Sequence, residues 1–157
     1  MANKEDIRAQ TLWVVDAYQR LIGQKNWDQW IELWADDGEL NFPYAPSGRK
    51  RVYRGKAEIL AYMRATPGRV AIDSVDQMRF FPMQDPAVAV VELTVKGHIP
   101  ATAATYNQTY VLFFEVKDGK LWRYREYWNP LISIDAMGGD RDKWAEGFGS
   151  PAPKGEG

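Results

Sequence analysis

The segment WRYREYWNP, residues 122–130, places Trp122, Tyr124, Glu126 and Trp128 at every second position. Side chains alternate across a strand, so an extended conformation puts Glu126 on one face with three aromatic rings. A carboxyl group wedged among rings loses the hydration of its charged form, which raises its pKa and makes it a candidate general acid or base near neutral pH. The same spacing also suits a glutamate on a solvated face beside interface aromatics, because exposed charge is the commoner fate of Glu. Tyr18 is a second candidate. It lies on an apolar helical stripe, where a phenol either donates to a developing oxyanion or packs in the core with its hydroxyl satisfied. Glu92, Thr94, Lys96 and His98 alternate along another extended segment and share one face. If concave, that face adds an acid, a cation and an imidazole to a pocket; if convex, it is solvated.

Other chemistries are poorly supplied. The chain has no cysteine, which excludes thiolate catalysis and disulfide scaffolding, and with one histidine it gives a soft or borderline metal too few ligands. Asp36, Asp37 and Glu39 read as a helix end rather than an oxygen cage, and no glycine-rich phosphate loop follows a strand. The expectation is therefore no cofactor and no metal. A net charge of −1 and a pI near 5.9 leave no electrostatic footprint for nucleic acid or acidic membrane. The basic run Arg49, Lys50, Arg51 and Arg54 reads as a solvated strand edge. The polar start MANKEDIRAQ and the lack of an apolar leader or span predict a cytoplasmic protein.

The elements that would position these residues can be read from hydrophobic period. At 157 residues the chain has the length of one domain with a real core. A helix is predicted from about Lys4 to Lys25, with Ile7, Val14, Val15, Tyr18, Leu21 and Ile22 on one stripe. Trp27, Trp30, Ile31 and Trp34 predict a second helix ending near Asp36 to Gly38. Short strands follow at Glu39 to Tyr44 and at RVYR, then a third helix from Gly55 with Ile59, Leu60 and Met63 inward, stopped by Pro67 and Gly68. Four long strands are expected at about Ile72 to Met83, Ala87 to Ile99, Thr105 to Lys117 and Lys120 to Ile132. Asp118 and Gly119 form a two-residue hairpin turn, so Lys117 faces Lys120, Glu126 faces Val111 and Trp128 faces Thr109. That register puts Phe113 on the glutamate's face and Tyr110, Leu112, Phe114, Arg123, Arg125 and Tyr127 on the other. Residues 1–137 form the expected domain. Residues 138–157, rich in Gly and Pro, read as an irregular tail in which Trp144 and Phe148 pack back. The fold class is α+β: three helices on one face of a curved antiparallel sheet, enclosing a cone-shaped hollow.

The order of elements, the phrase LWADDGEL after two helices, QDP at residues 84–86, Val91–Glu92 and the closing run YVLFFEVKDGKLWRYREYWNP together resemble the nuclear-transport-factor-2-like superfamily. Within it they are most similar to the SnoaL-like branch and its phenazine-biosynthesis A/B proteins. The resemblance implies that Glu126 points into the pocket, since the matching glutamate of those proteins is the general acid in condensing two cyclic amino-ketones. A histidine implicated in that family aligns with Asp76, and His98 lies on another strand, so the resemblance does not extend to the full amino-ketone site. Alignment with the steroid isomerases of the superfamily places their oxyanion-holding tyrosine on Tyr18 and a pocket tryptophan on Trp128. Their catalytic base falls on Phe42 and their second aspartate on or near Thr109 or Tyr110, which argues against steroid-type isomerisation.

Two functions are therefore expected as alternatives. One is a cofactor-independent enzyme of lyase, isomerase or cyclase type acting on a small hydrophobic cyclic or aromatic molecule. Its catalytic groups would be Glu126, Tyr18 and His98, and its walls Trp30, Trp34, Phe42, Tyr44, Phe113, Trp122, Tyr124 and Trp128. The other is a non-catalytic ligand-binding or assembly module. A homodimer is expected through the face bearing Tyr110, Arg123, Arg125 and Tyr127.

Overall fold

In the computed structural model, which describes residues 2–147, helix α1 (Lys4–Gly23) opens on a capping box: the Asn3 side chain accepts from the Asp6 amide, and Asp6 accepts from that of Asn3. Its stripe of Val14, Val15, Ala17, Tyr18 and Leu21 is buried as its period requires. Asn26 caps α2 (Trp27–Ile31), which is shorter than its apolar spacing suggests. Trp34 leaves the helix because the Leu33 carbonyl accepts from the Leu121 amide, which starts strand β1 (Trp34–Asn41). After β2 (Val52–Arg54), helix α3 (Gly55–Ala65) buries Ile59 and packs against β1.

Strands β3 (Ala71–Pro82), β4 (Val88–His98), β5 (Gln108–Lys117) and β6 (Lys120–Trp128) form the expected antiparallel meander. The six-stranded order is β2-β1-β6-β5-β4-β3, and β1 joins β6 in parallel, so the sheet is mixed rather than wholly antiparallel. Helix α1 lies across β4 and β5 on the inner face. The last strand ends at Trp128, earlier than expected, because Asn129 caps α4 (Pro130–Ala136) with Pro130 in its first turn. Gln108, itself buried, accepts from the Asn129 amide at 3.1 Å and donates to the Asn129 carbonyl at 2.9 Å, fixing where the chain leaves the sheet. Within the segment expected to be irregular, Arg141–Gly147 form a further helix, α5. Phe148, expected to pack back with Trp144, lies outside the described residues.

The hairpin turn forms as predicted, with positive φ at both Asp118 (51°) and Gly119 (73°). The register it sets survives for only two pairs. Lys117 faces Lys120 and Val116 faces Leu121, but Glu115 then faces Arg123, leaving Trp122 without a residue opposite. This β-bulge shifts everything beyond it by one: Glu126 faces Leu112 rather than Val111, and Trp128 faces Tyr110 rather than Thr109. A one-residue slip exchanges faces. Tyr110, Leu112 and Phe114 therefore turn inward with Tyr124, Glu126 and Trp128, whereas Phe113 and Val111 turn outward with Arg125 and Tyr127.

Among the described residues no helix is long and apolar enough to cross a membrane. Trp34 is wholly buried, and its ring lies directly over Gly38, where an added Cβ would stand 2.9 Å from Trp34 Cε3 and 3.0 Å from the Ala35 carbonyl oxygen. Only glycine admits the ring at this distance. The Gly38→Ala variant is expected to lose roughly 1–3 kcal/mol of stability through overpacking, measured by urea unfolding. A midpoint equal to that of the parent chain would show that the ring has room to move.

Candidate active site

Glu126 sits where β6 faces α1 and α3. Its carboxyl is crowded by protein on almost every side, with a partial opening to solvent, and Tyr124 Oη donates to Oε2 at 2.7 Å. Burial raises its pKa from the usual 4.5 to about 7, and the bond from Tyr124 only partly opposes that rise. The charge of Glu126 reaches four phenols, of which Tyr18 and Tyr124 are buried and Tyr62 and Tyr110 partly buried. Tyr18, Tyr62, Tyr110 and Tyr124 are each held above the ordinary tyrosine range, first by burial and then in part by this carboxylate. Such phenols stay protonated at neutral pH and can serve only as donors or neutral acceptors toward the acid.

Tyr18 is 2% exposed and stacks on Tyr124, with ring centroids 5.1 Å apart and planes at 30°. Tyr124 donates to Glu126, and Tyr18 backs the ring of that donor. Tyr18 is also packed against Trp30 at 5.4 Å, Trp34 at 6.5 Å and Phe114 at 5.0 Å. This packing makes Tyr18 a support for the Tyr124 phenol.

A hollow near Glu126 is bounded by Phe42, Ala45, Tyr53, Tyr62, Trp128 and Trp144, with Arg49 and Lys50 as its cations. Its free volume is about 20 Å³, room for a single water. Tyr62 and Trp128 connect it to Glu126: Trp128 is two residues along the same face, and Tyr62 feels the carboxylate's charge. The structure thus brings together Glu126, Tyr18, Tyr124, Trp128 and Phe42 from the set named by the sequence. Trp30 and Trp34 are fully buried but belong to the packing around Tyr18, and neither borders the hollow.

The remaining candidates lie elsewhere. His98 is on the outer face, where its Nδ1 pairs with Asp73 at 2.8 Å, in line with Glu92, Thr94 and Lys96. Lys96 pairs with Asp76 and Glu92 with Arg79, as suits a solvated face. The bulge moves Trp122 away from Glu126, into a surface groove with Lys117 and Lys120, and clamps its ring between Lys117 at 5.1 Å and Arg123 at 3.9 Å. Phe113 faces outward against Tyr127, and Tyr44, 60% exposed, packs on the same Tyr127. Tyr110, expected at the outer face, instead faces inward and shares a hydrogen bond with Tyr106 at 3.0 Å.

Sequence reasoning missed three residues. Tyr62 follows Ile59 by three and so was on the inward side of α3 by helical period. Arg49 was read as a solvated edge cation but is 7% exposed, because the loop before β2 folds over the hollow. Tyr53, between the paired cations Lys50 and Arg54, is also buried. Among the described residues no three imidazole or carboxylate groups converge to offer a metal its ligands.

Comparison with known proteins places this arrangement. Residues 15–124 match the SnoaL-like domain. The chain belongs to the SnoaL-like family, within the NTF2-like fold. It is 34% identical over 116 residues to the uncharacterized protein YesE of Bacillus subtilis, covering 74% of this chain and 79% of that protein. It is 32% identical over 120 residues to the uncharacterized PhzA/B-like protein PA3332 of Pseudomonas aeruginosa, covering 76% and 84%. Among solved structures, a Bacillus subtilis protein provisionally called an isomerase superposes with a TM-score of 0.76 at 31% identity, covering 88% of this chain and 98% of that one. The phenazine biosynthesis-related protein PhzB2 of Pseudomonas aeruginosa gives 0.71 at 22%, covering 87% and 85%, a likeness of fold. Other neighbours, alike in fold alone, carry provisional names as polyketide cyclases and a ketosteroid isomerase, and one is called an epoxide hydrolase. The domain match ends two residues before Glu126 and leaves that residue to be judged on its surroundings.

A carboxyl whose folded pKa lies above its unfolded value binds its proton more tightly in the folded state. Its contribution to stability is complete below about pH 4.5 and is lost as pH rises through about 7. The Glu126→Gln variant, neutral throughout, is expected to match the parent chain at pH 5 and to exceed it by roughly 1–3 kcal/mol at pH 8, read by denaturant unfolding at both pH values. An equal difference at both would mean that Glu126 is solvated. Tyr124→Phe removes the donor that favours the carboxylate, so the pH at which stability falls should move further upward.

Proposed function

We propose that this SnoaL-like protein is a cofactor-independent enzyme in which Glu126 exchanges a proton with a small hydrophobic cyclic or aromatic ketone or phenol. The observation that carries this reading is the short Tyr124–Glu126 hydrogen bond beside an aromatic-walled hollow, around a carboxyl buried among neutral phenols. A group poised near pH 7 is present in both proton states at neutral pH, so it can take a proton from carbon and return it to carbon or oxygen. Tyr124 stabilises the carboxylate form by donating to it, and Tyr18 holds Tyr124 in place. The crowding around the carboxyl limits the water that could quench an enolate. Isomerisation, cyclisation by condensation and lyase-type cleavage share this proton step, and substrate shape decides among them. The names borne by fold neighbours agree with the class of chemistry and assign no substrate here.

A binding or assembly module without chemistry is the second reading. It is favoured by the size of the hollow, which as it stands admits one water and no ring. The two separate on one variant. In a panel of cyclic ketones and phenols, Glu126→Gln should lower turnover at least about 100-fold while the fold persists; parent-like rates would remove Glu126 from the chemistry, and the absence of turnover by the parent chain across the panel would favour the module.

The outer face supports assembly in either case. Phe81, Val90, Phe113 and Arg125 lie in one row across β3 to β6, and Arg79, Glu92, Val111 and Tyr127 in the next. We propose a homodimer through this face, with Arg123 beside it and with Tyr110 excluded because it points inward. Light scattering at micromolar concentration is expected to give twice the chain mass, and Tyr127→Asp to give the monomer. A monomeric parent chain would end the proposal.

A further inference from the structure

The four phenols that feel the Glu126 charge are not equally available. Tyr124 donates to the carboxyl at 2.7 Å, Tyr110 shares a hydrogen bond with Tyr106 at 3.0 Å, and Tyr18 is sealed behind the Tyr124 ring. Tyr62 differs from all three. It is half-buried, it borders the hollow with Phe42 and Trp128, and its hydroxyl bonds to no described residue. The ring is nonetheless held. Phe42 lies 5.0 Å from it at 48°, Tyr53 lies 4.7 Å from it at 46°, and the Arg69 guanidinium stands 5.9 Å from its centroid. Its helix is anchored by the buried Ile59, and Thr66 Oγ1 donates to the Tyr62 carbonyl at 3.0 Å. A fixed O–H with nothing in the protein to donate to is suited to an oxygen that gains charge during a reaction, because no reorganisation has to accompany that charge.

Resting on the reading of Glu126 as the group that exchanges a proton, we infer that Tyr62 is a catalytic donor, its hydroxyl bonding the carbonyl oxygen of a cyclic ketone whose α-carbon faces Glu126. The step balances on these two side chains. The Glu126 carboxylate takes the α-proton, the C–H electron pair becomes the C=C bond of an enolate, and the carbonyl π pair moves onto the oxygen that Tyr62 bonds. The proton then returns from Glu126 to carbon, and Tyr62 keeps its own throughout. Burial first, and then the charge of Glu126, hold the Tyr62 proton above the ordinary tyrosine range, while Arg69 acts the other way. Once Glu126 is protonated the second of these causes is gone. The phenol therefore donates more strongly at the moment when charge reaches the ligand's oxygen. The ketone's ring has a seat outside the one-water hollow. Trp128, Tyr110, Leu93 and Met78 form one inward row across β6 to β3; Tyr110 and Leu93 are only partly covered, and Met78 is 56% exposed, so the row opens toward the β3 edge.

Carbon-13 NMR of 1-tetralone labelled at its carbonyl, added to the full-length chain, tests this. The carbonyl signal is expected to move downfield with the parent chain, as a donated hydrogen bond requires, and to lose that shift with Tyr62→Phe. The variant keeps the ring and its packing and deletes an oxygen that bonds nothing in the described protein, so it should melt with the parent. In heavy water the parent chain should exchange the ketone's α-protons for deuterium, and Tyr62→Phe should do so at least ~100-fold more slowly. A parent chain that leaves the carbonyl signal unmoved overturns the inference, as does a Tyr62→Phe protein that shifts it fully. Early melting of Tyr62→Phe overturns it equally, since the hydroxyl would then be serving the fold. The two readings separate in these measurements. A carbonyl shift that needs Tyr62, without exchange by the parent chain, would keep the donor and end the proton chemistry at Glu126. Exchange lost in Glu126→Gln but unchanged in Tyr62→Phe would keep the chemistry and end the donor.

Discussion

The bulge at Trp122 is the constraint on which the site depends. A hairpin closed by Asp118 and Gly119 would, without interruption, turn Thr109, Val111 and Phe113 inward opposite Trp128 and Glu126. With Trp122 left out of the ladder, the inner face of β5 becomes Tyr110, Leu112 and Phe114, so Glu126 meets phenols and large apolar side chains in place of a threonine and a valine. The extra residue is stabilised where it stands: its ring lies between two cations on the surface, Lys117 and Arg123, each within cation–π range. Leu121 and Tyr124 can then both face the core, two inward residues separated by a pair that does not alternate. Bulges of this kind re-aim side chains next to functional sites.

Around that re-aimed glutamate the protein supplies donors without charge. Tyr124 donates to the carboxyl and three further tyrosines feel its charge, while among the described residues no arginine or lysine pairs with it, so burial dominates its pKa and the Tyr124 bond moderates it. A cation in the same place would have favoured the charged carboxylate and opposed the effect of burial. The ring packing of Tyr18 with Trp30, Trp34, Phe114 and Tyr124 holds the donors at fixed angles. A carboxyl tuned in this way needs such stiffness, since a phenol free to rotate would give up the bond that sets the proton affinity.

The second structural decision is made after the sheet ends. Gln108 grips both backbone groups of Asn129, Asn129 caps α4, and the chain turns back over the cone instead of running on as strand. That return places Trp144 against Trp128 and beneath Arg49. The sheet's long edge strand β3 is left comparatively bare, with Val75, Met78 and Phe80 exposed on the side toward the helices. Helix cover is thus concentrated over the half of the sheet that holds Glu126.

By itself the sequence determined the elements and their order. Its helical stripes, Pro and Gly punctuation, the Asp-Gly turn and the alternating last strand were legible because each depends on residues close together along the chain, and Glu126 stood out because three aromatics share its period. What only the tertiary structure decided was which residues share a face with it. A bulge has no signature in alternation, so Phe113 and Trp122 were read inward and Tyr110 outward; His98 could not be assigned a face because both faces of its strand fit the pattern. Tyr44 and Arg49 exchanged expected positions because loop closure around β2 is set by what it packs on. Trp144 sits in a stretch whose Gly and Pro content reads as irregular, yet burial of one indole in an apolar hollow can outweigh weak local propensity over a short helix. Local periodicity writes the elements, whereas the faces they present and the space between them follow from long-range packing that no window of sequence contains.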